Sequence, residues 1–284
     1  MKEIARQARA ETHVVGLVPT MGALHEGHVS LIARARKECS PLFASIFVNP
    51  KQFGPNEDFA KYPRAFESDA EKLEQAGVDA LFAPEAAEIY PKDFSTYVHV
   101  EGLSERLEGS SRPGHFCGVA TVVMKLLQIV QPHRAYFGRK DAQQARLITQ
   151  MARDLNLDSE IVLCPIVREP DGLALSSRNV YLNPDERKAA TVLYLALEAA
   201  RGELARGVRD ALHLKDVLQR TLSKERLASV DYAEIVDAES FEPVVRISKA
   251  CFVLLAVFFG KTRLIDNLYM EPKSPGSDDL VFHL

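Results

Sequence analysis

The spacing of apolar positions divides the chain into a first part that reads as alternating short strands and helices and a second part with longer helices and a hairpin. Val14, Val15, Leu17 and Val18 form an apolar run interrupted by Pro19, Thr20, Met21 and Gly22, which reads as a buried strand and a tight turn. Val29, Leu31 and Ile32 then open a helical pattern that runs to about Glu38. Residues 1–12 predict a short helix ahead of this unit. Beyond it the pattern predicts a buried strand over 42–48, an amphipathic helix over 66–75 stopped by Gly77, and a short strand over 80–82. Residues 97–100 come next. An apolar helix follows over 119–130, then a strand over 134–137, a helix carrying Gln143 and Gln144, and an apolar stretch over 161–167. Strand–helix–strand at this pace indicates right-handed parallel crossovers, hence an α/β fold with a Rossmann-like parallel sheet and helices on both faces.

From Asn183 the composition changes. An Ala/Leu-rich helix is predicted over 184–205, with Pro184 at its start and Gly207 beyond its end, and a second over 210–227. Residues 230–236 alternate like a strand, and 250–259 with 264–268 read as a hairpin around Gly260. The expectation is two domains, 1–165 and a smaller α+β domain over 166–284, with the tail 273–284 loosely ordered because it carries Pro, Gly, Ser and Asp.

Composition narrows the function. A chain of 284 residues with 46% hydrophobic and 26% charged residues can bury a substantial core. A net charge of −4 without a long Lys/Arg run argues against nucleic acid as the main partner. Cys39, Cys117, Cys164 and Cys251 lie far apart with no Cys-x-x-Cys, which fits reduced thiols in a cytoplasmic protein. The N-terminal residues are charged and read as no signal peptide, and the longest apolar run, Cys251–Phe259, is too short to span a membrane.

The chemistry concentrates at strand-to-helix junctions. A strand, a Gly-containing turn and a helix start aim backbone N–H groups and a helix dipole at an anion, and here His25 and His28 stand at that start. Such a pair can be no more than two surface imidazoles. It could also share a zinc ion, but His-Glu-Gly-His is one residue short of the zinc-protease spacing, and no Cys pair or second His pair supplies further ligands. Gly22 and Gly27 leave room for a ligand to approach the backbone. A second junction holds Gly138, Arg139, Lys140 and Asp141; Asp141 can serve as an N-cap, whereas Lys140 has no capping role and suits a phosphate.

Other loops offer weaker signals. The strand over 42–48 ends in Asn49, Pro50, Lys51 and Gln52, a plain turn by composition and also a common place for binding residues. In the glycine-rich loop over 109–118, Arg112 reads as a solvated arginine or an anion holder, and His115 as a helix cap or a ligand contact. Ser176, Ser177 and Arg178 in the polar loop 168–179 could form a mobile phosphate clamp. The Gly-Lys-Thr at 260–262 is no phosphate loop, because that motif needs a glycine where Leu255 stands. Asp69 reads as a surface carboxylate on the 66–75 helix in preference to a metal ligand.

Six stretches, PTMGALHEGH (19–28), SIFVNPKQF (45–53), YPR (62–64), SRPGHF (111–116), FGRKDAQQ (137–144) and DGLALSSRN (171–179), together resemble the pantothenate synthetases. These are pantoate–β-alanine ligases of the nucleotidyltransferase superfamily with a His-x-Gly-His-type motif. The resemblance spans nearly the whole chain. It implies that pantoate, β-alanine and ATP with Mg2+ yield pantothenate, AMP and pyrophosphate through pantoyl adenylate. It further implies an ATP site formed by Met21, Gly22, Ala23, Leu24, His25, Glu26, Gly27 and His28, with His28 the proton donor and His25 its companion. Gly138, Arg139, Lys140 and Asp141, then Val167, then Leu175, Ser176, Ser177 and Arg178 complete that site, the last group closing over the phosphates. Gln52 and Gln144 would hold pantoate, Gln52 also β-alanine, and the protein would be a homodimer; the metal ligands stay unassigned. Arg139 departs from the family's usual Glu, and Lys51 from its Met or Thr. A related nucleotidyltransferase with a phosphorylated substrate is the rival reading, and the neutral amides of Gln52 and Gln144 speak against it. A tRNA-binding module would need a basic face, and a silent nucleotide-binding relative would not need both histidines, Lys140 and Arg178.

Overall fold

The computed structural model describes residues 1–10, 13–55, 57–274, 277 and 279–284, so the last two residues of the expected N-terminal helix lie outside the described residues. The chain divides into two compact units, Met1–Cys164 and Pro165–Leu284.

The first unit runs α1 (Lys2–Ala10), β1 (Gly16–Thr20), α2 (Glu26–Glu38), β2 (Leu42–Ile46), α3 (Phe66–Gln75), β3 (Ala80–Phe82), α4 (Ala86–Ile89), α5 (Glu108–Ser111), α6 (His115–Val130), β4 (Arg134–Gly138), α7 (Ala142–Asp154) and β5 (Glu160–Cys164). Its five strands pair in the order β3-β2-β1-β4-β5, all parallel, so the parallel α/β sheet expected from the crossovers is present, flanked by helices. Successive strand side chains point to opposite faces. Val18, Leu42, Ala44 and Tyr136 therefore share one face and pack with Leu31, Ile32 and Ala35 of α2 and Leu73 of α3. Leu17, Phe43, Ala135 and Phe137 take the other parity, and all four are buried.

Two boundaries differ from the periodicity. β1 continues through Pro19 to Thr20: Pro19 pairs in register with Ser45, and the ladder to β4 has already ended at Leu17–Ala135, so at Pro19 the strand has a partner on one side only, as an edge strand does. α6 starts at His115, four residues before its apolar pattern, with Gly114 in the left-handed region ahead of it. Residues 97–100 form no strand; the Val98 N–H donates to Thr121 Oγ1 of α6 instead.

The second unit comprises α8 (Pro184–Ala189), α9 (Val192–Ala205), α10 (Ala211–Leu222), β6 (Ala228–Asp237), β7 (Cys251–Phe259), β8 (Thr262–Pro272) and β9 (Leu280–His283). The strands form an antiparallel sheet in the order β6-β7-β8-β9. Val253, Leu255, Val257 and Phe259 project from one side of β7 into a core with Leu193, Leu197 and Leu204 of α9 and Leu214 and Leu218 of α10. The single helix expected over 184–205 is broken: Thr191 Oγ1 donates to Lys188 O at 2.8 Å, a local bond that competes with the helical ladder. The second helix stops at Leu222, five residues short of the expectation, where Ser223 caps it and the chain turns into β6. The tail expected to be loose supplies β9, which pairs with the end of β8 while Leu280, Phe282 and Leu284 pack on the core; residues 275, 276 and 278 of that tail lie outside the described residues.

One close approach prepares the site. A Cβ at Gly118 of α6 would sit 2.2 Å from the Lys51 carbonyl oxygen, so the helix can meet the turn after β2 backbone to backbone only without a side chain. Gly118→Ala is therefore expected to lower stability by about 1–3 kcal/mol, the usual cost of overpacking, read as a lower urea midpoint at unchanged slope.

Candidate active site

β1, β2 and β4 run parallel, so their C-terminal ends lie on one edge of the sheet and the loops leaving them are neighbours. The turn after β1 is held tightly. Thr20 Oγ1 donates to Ser45 O at 2.7 Å and accepts the Gly22 N–H at 3.2 Å. Gly22 and Ala23 both adopt left-handed backbone, at φ 82° and 52°. Asp69 is only 1% exposed, and its two carboxylate oxygens accept the N–H groups of Ala23 and Leu24 at 2.7 and 2.8 Å. The surface carboxylate expected at Asp69 is thus a buried brace, because α3 turns this position inward beneath the loop. The Ala23 and Leu24 amides, expected to point at an anion, are engaged by that carboxylate.

The start of α2 carries the two histidines. His25 is its N-cap, and Nδ1 accepts the Gly27 N–H at 3.1 Å; His28 Nδ1 accepts the His25 N–H at 3.3 Å. Each Nδ1 acts as an acceptor of a fixed donor, so each neutral ring carries its proton on Nε2. The ring centroids are 4.1 Å apart. Burial, then the charges of Lys140 and Lys72, pushes His25 down to about 4, with Asp141 opposing. Burial, then His25, Lys140 and Lys72, pushes His28 down to about 3. Both imidazoles are neutral Nε2–H donors at pH 7, in a field that Lys140 and Lys72 make positive.

Lys140 and Asp141 belong to a single 3-10 turn, Arg139–Asp141, between β4 and α7, with Nζ and Oδ1 3.7 Å apart. Asp141 occupies the N-cap position of α7 but its side chain makes no capping bond there, against the reading of it as a cap. Of the adjacent glutamines, Gln143 is buried and its amide holds the loop before α5 through Leu103 O, Arg106 O and the Glu108 N–H. Gln144 is partly buried on the first turn of α7.

Gln52 ends the turn after β2 and is nearly enclosed. Its Nε2 donates to Met21 Sδ at 3.0 Å, joining it to the turn after β1. Asn49 Nδ2 donates to Gln52 Oε1 and to Gly118 O, and Tyr90 Oη donates to Asn49 Oδ1 at 2.8 Å. Behind them His115 Nδ1 lies 2.8 Å from Gln52 O. A carbonyl only accepts, so this ring is protonated on Nδ1, and its Nε2 accepts from Arg112 Nη1 at 3.0 Å. Arg112 in turn forms a bidentate pair with Glu57, both contacts 2.7 Å. Arg112 is therefore neither a solvated arginine nor an open anion site, and His115 neither caps α6 nor faces outward. Burial, then the Arg112 charge, lowers His115 to about 4. The support of Gln52 by residues 57, 112 and 115 carried no local signal in the sequence, since Arg112 meets Glu57 across 55 residues and His115 meets Gln52 across 63.

Val167 and Leu175 to Arg178 lie in the second unit. The base of their loop is pinned there: the Leu175 N–H donates to Val167 O, and Arg168 makes a bidentate pair with the fully buried Asp266 at 2.7 and 2.9 Å. Ser176 Oγ accepts the Arg178 N–H at the head of a 3-10 turn, Ser177–Tyr181. No group of three or more His, Cys, Asp or Glu that could hold a metal ion occurs among the described residues, and both oxygens of Asp69 are taken by amides. No described helix is long and apolar enough to cross a membrane.

Comparison with known proteins places this geometry in context. The family model described as pantoate–β-alanine ligase matches residues 1–269. The pantothenate synthetase of Thermotoga neapolitana is 55% identical over 267 residues, which are 94% of this chain and 95% of that protein. That of Caldicellulosiruptor bescii is 53% identical over 273 residues, 96% and 97% of the two chains. The crystal structure of pantothenate synthetase from Thermus thermophilus superposes with a TM-score of 0.88 at 48% identity, covering 93% of this chain and 96% of that one. A pantoate–β-alanine ligase from Francisella tularensis, solved with β-γ ATP and β-alanine, gives a TM-score of 0.74 at 37% identity over 94% of each chain.

The neutral histidines predict an acid sensitivity. Each of His25, His28 and His115 has a folded value near 3–4 against 6.5 for the ordinary imidazole, so the unfolded chain binds more protons between these limits. Stability is expected to be insensitive to these groups above about pH 7 and to fall as pH drops from 6.5 towards 4. Paired carboxylates such as Asp237, lowered to about 2, add their loss only below about pH 4. Urea midpoints measured across this range should decline, and more gently in His115→Gln.

Proposed function

The chain belongs to the pantoate–β-alanine ligase family, and on that premise we propose that it joins pantoate to β-alanine at the expense of ATP through a pantoyl adenylate. A carboxylate oxygen of pantoate attacks the α-phosphorus, and the bond to the bridging oxygen of pyrophosphate breaks. The amine of β-alanine then attacks the acyl carbon, AMP leaves with the electron pair of the acyl–oxygen bond, and the amine loses a proton.

The observation that carries this reading is the pair of Nε2–H imidazoles at the start of α2 within the field of Lys140, joined to the neutral amide of Gln52 through Met21. In-line attack at an α-phosphate needs little covalent help and much neutralisation of charge on the phosphate oxygens. His25 and His28 donate hydrogen bonds to those oxygens and Lys140 supplies the charge. His28, a neutral ring, meets the α-phosphate with Nε2–H as a hydrogen-bond donor and not as an acid, which narrows the proton-donor role implied by the resemblance. Gly138, Arg139 and Asp141 take the nucleotide with Lys140, Asp141 towards the ribose. Glu26 and Gly27 line the same face as Met21 to His28, Val167 meets the adenine, and Leu175 to Arg178 close over the phosphates. Gln52 and Gln144 bind pantoate, since an amide both donates to and accepts from hydroxyl groups; Gln52 also meets β-alanine. Magnesium enters with ATP and is assigned no protein ligand. A homodimer acting in the cytoplasm completes the reading.

The test follows AMP and pyrophosphate from ATP and magnesium, with pantoate and β-alanine present together or singly. Sustained AMP release is expected only with both substrates. His28→Ala and Lys140→Ala are each expected to lower kcat by about 10²–10³-fold, the cost of removing one donor aimed at developing charge. Turnover that ignores pantoate, or that survives both substitutions, would reject the assignment.

A further inference from the structure

The reaction as written above gives the Asp69 carboxylate no part, yet it holds the segment from which both site histidines depart. We propose that Asp69 is a positioning residue for the reaction: from α3 it clamps the Ala23–Leu24 amides and so fixes where the His25 and His28 rings present Nε2–H. The kinetic part of this inference rests on the ligase reading; the structural part does not.

Three observations converge on it. Asp69 is buried, and each oxygen accepts one backbone N–H, at 2.7 and 2.8 Å. One turn further along α3, Lys72 Nζ donates to Leu24 O at 2.8 Å, so the peptide groups on either side of Leu24 are both gripped by one helix. The clamped backbone is in a conformation it would not hold unaided: Ala23 has a φ of 52°, which is strained for an L-residue and persists where the surroundings over-determine it.

The link to the histidines is direct along the chain. Leu24 precedes His25, whose own N–H donates to His28 Nδ1, and whose Nδ1 accepts from Gly27. A shift of the Leu24 peptide therefore moves the His25 amide, loosens the bond that holds the His28 tautomer, and rotates both Nε2–H groups. Only a group that accepts at both ends satisfies two N–H donors 2.7–2.8 Å away. Asn in its place turns an NH2 towards one of them and leaves a buried donor facing a donor.

The experiment compares the wild-type chain with Asp69→Asn, Lys72→Met and, as a control on the exposed side of the same helix, Glu67→Gln. Folding is checked by urea titration, ligation is assayed as above, and imidazole tautomers are read from ¹⁵N spectra of the full chain. Wild type and Glu67→Gln are expected to show His25 and His28 as single Nε2–H tautomers. Folded Asp69→Asn should show tautomer averaging and a kcat lower by about ten- to a hundredfold, with the KM for pantoate little changed. Wild-type kcat and an unchanged imidazole spectrum in Asp69→Asn would overturn the proposal. If Asp69→Asn does not fold, Lys72→Met decides, since it loosens the carbonyl side of the same clamp: tautomer averaging supports the role, and an unchanged spectrum rejects it. A wild type that does not ligate pantoate counts against the ligase reading, and the imidazole spectra then judge the clamp by themselves.

Discussion

Parallel pairing of β1 with β2 on one side and β4 on the other is the constraint from which the site follows. β1 is buried except at Pro19 and pairs with β2 along its whole length and with β4 at Gly16 and Leu17, so its peptide groups find partners on neighbouring strands in place of water. Parallel neighbours end on the same edge. The chain therefore leaves Thr20, Ile46 and Gly138 side by side, and three segments separated by many residues deliver the histidines, Gln52 and Lys140 to one place. The strand order places β1 and β4 next to each other at the point where successive crossovers run in opposite directions, the position at which such sheets leave a crevice for a ligand.

Burying imidazoles beside lysines removes their charge, and the molecule uses the neutral form. His25 and His28 have Nδ1 fixed by backbone N–H groups and offer Nε2–H; His115 has the opposite tautomer because its partner is a carbonyl. The first pair stands in the positive field of Lys140 and Lys72. The third passes a chain of hydrogen bonds from the Glu57–Arg112 pair to the backbone of Gln52. Rings held in this way lose little freedom when a ligand binds, which is the physical content of a preorganised site.

Much of the fold was legible because its cause is local. Strand and helix periods are carried by apolar side chains a few residues apart, and 66–75 and 80–82 coincide with α3 and β3. The failures have specific causes. Pro19 reads as a break, but β1 has a partner on one side only there and tolerates it. The tail is poor in apolar residues, yet Leu280 and Phe282 find an open edge on β8. Thr191 looks helical in composition and interrupts the helix through its own hydroxyl. Asp69 and Arg112 have the composition of surface groups and are enclosed, because their partners, two amides and Glu57, lie 45 and 46 residues away in the first case and 55 in the second.

The sequence by itself determined the alternation of elements, the parallel class of the first sheet, the family, and the strand-to-helix junctions at which chemistry collects. These follow from periodicity and from short motifs whose residues act together within one or two turns. Only the tertiary structure decided which polar residues are committed to holding the frame. Gln143 and Gln144 are adjacent and alike, but the first commits its amide to the loop before α5. Likewise the backbone amides of the turn after β1 answer to Asp69, and the tautomer of His115 is set by the Gln52 carbonyl brought in from another loop. A hydrogen bond is assigned by where its partner stands, and that position is settled when the sheet brings distant strand ends to one edge.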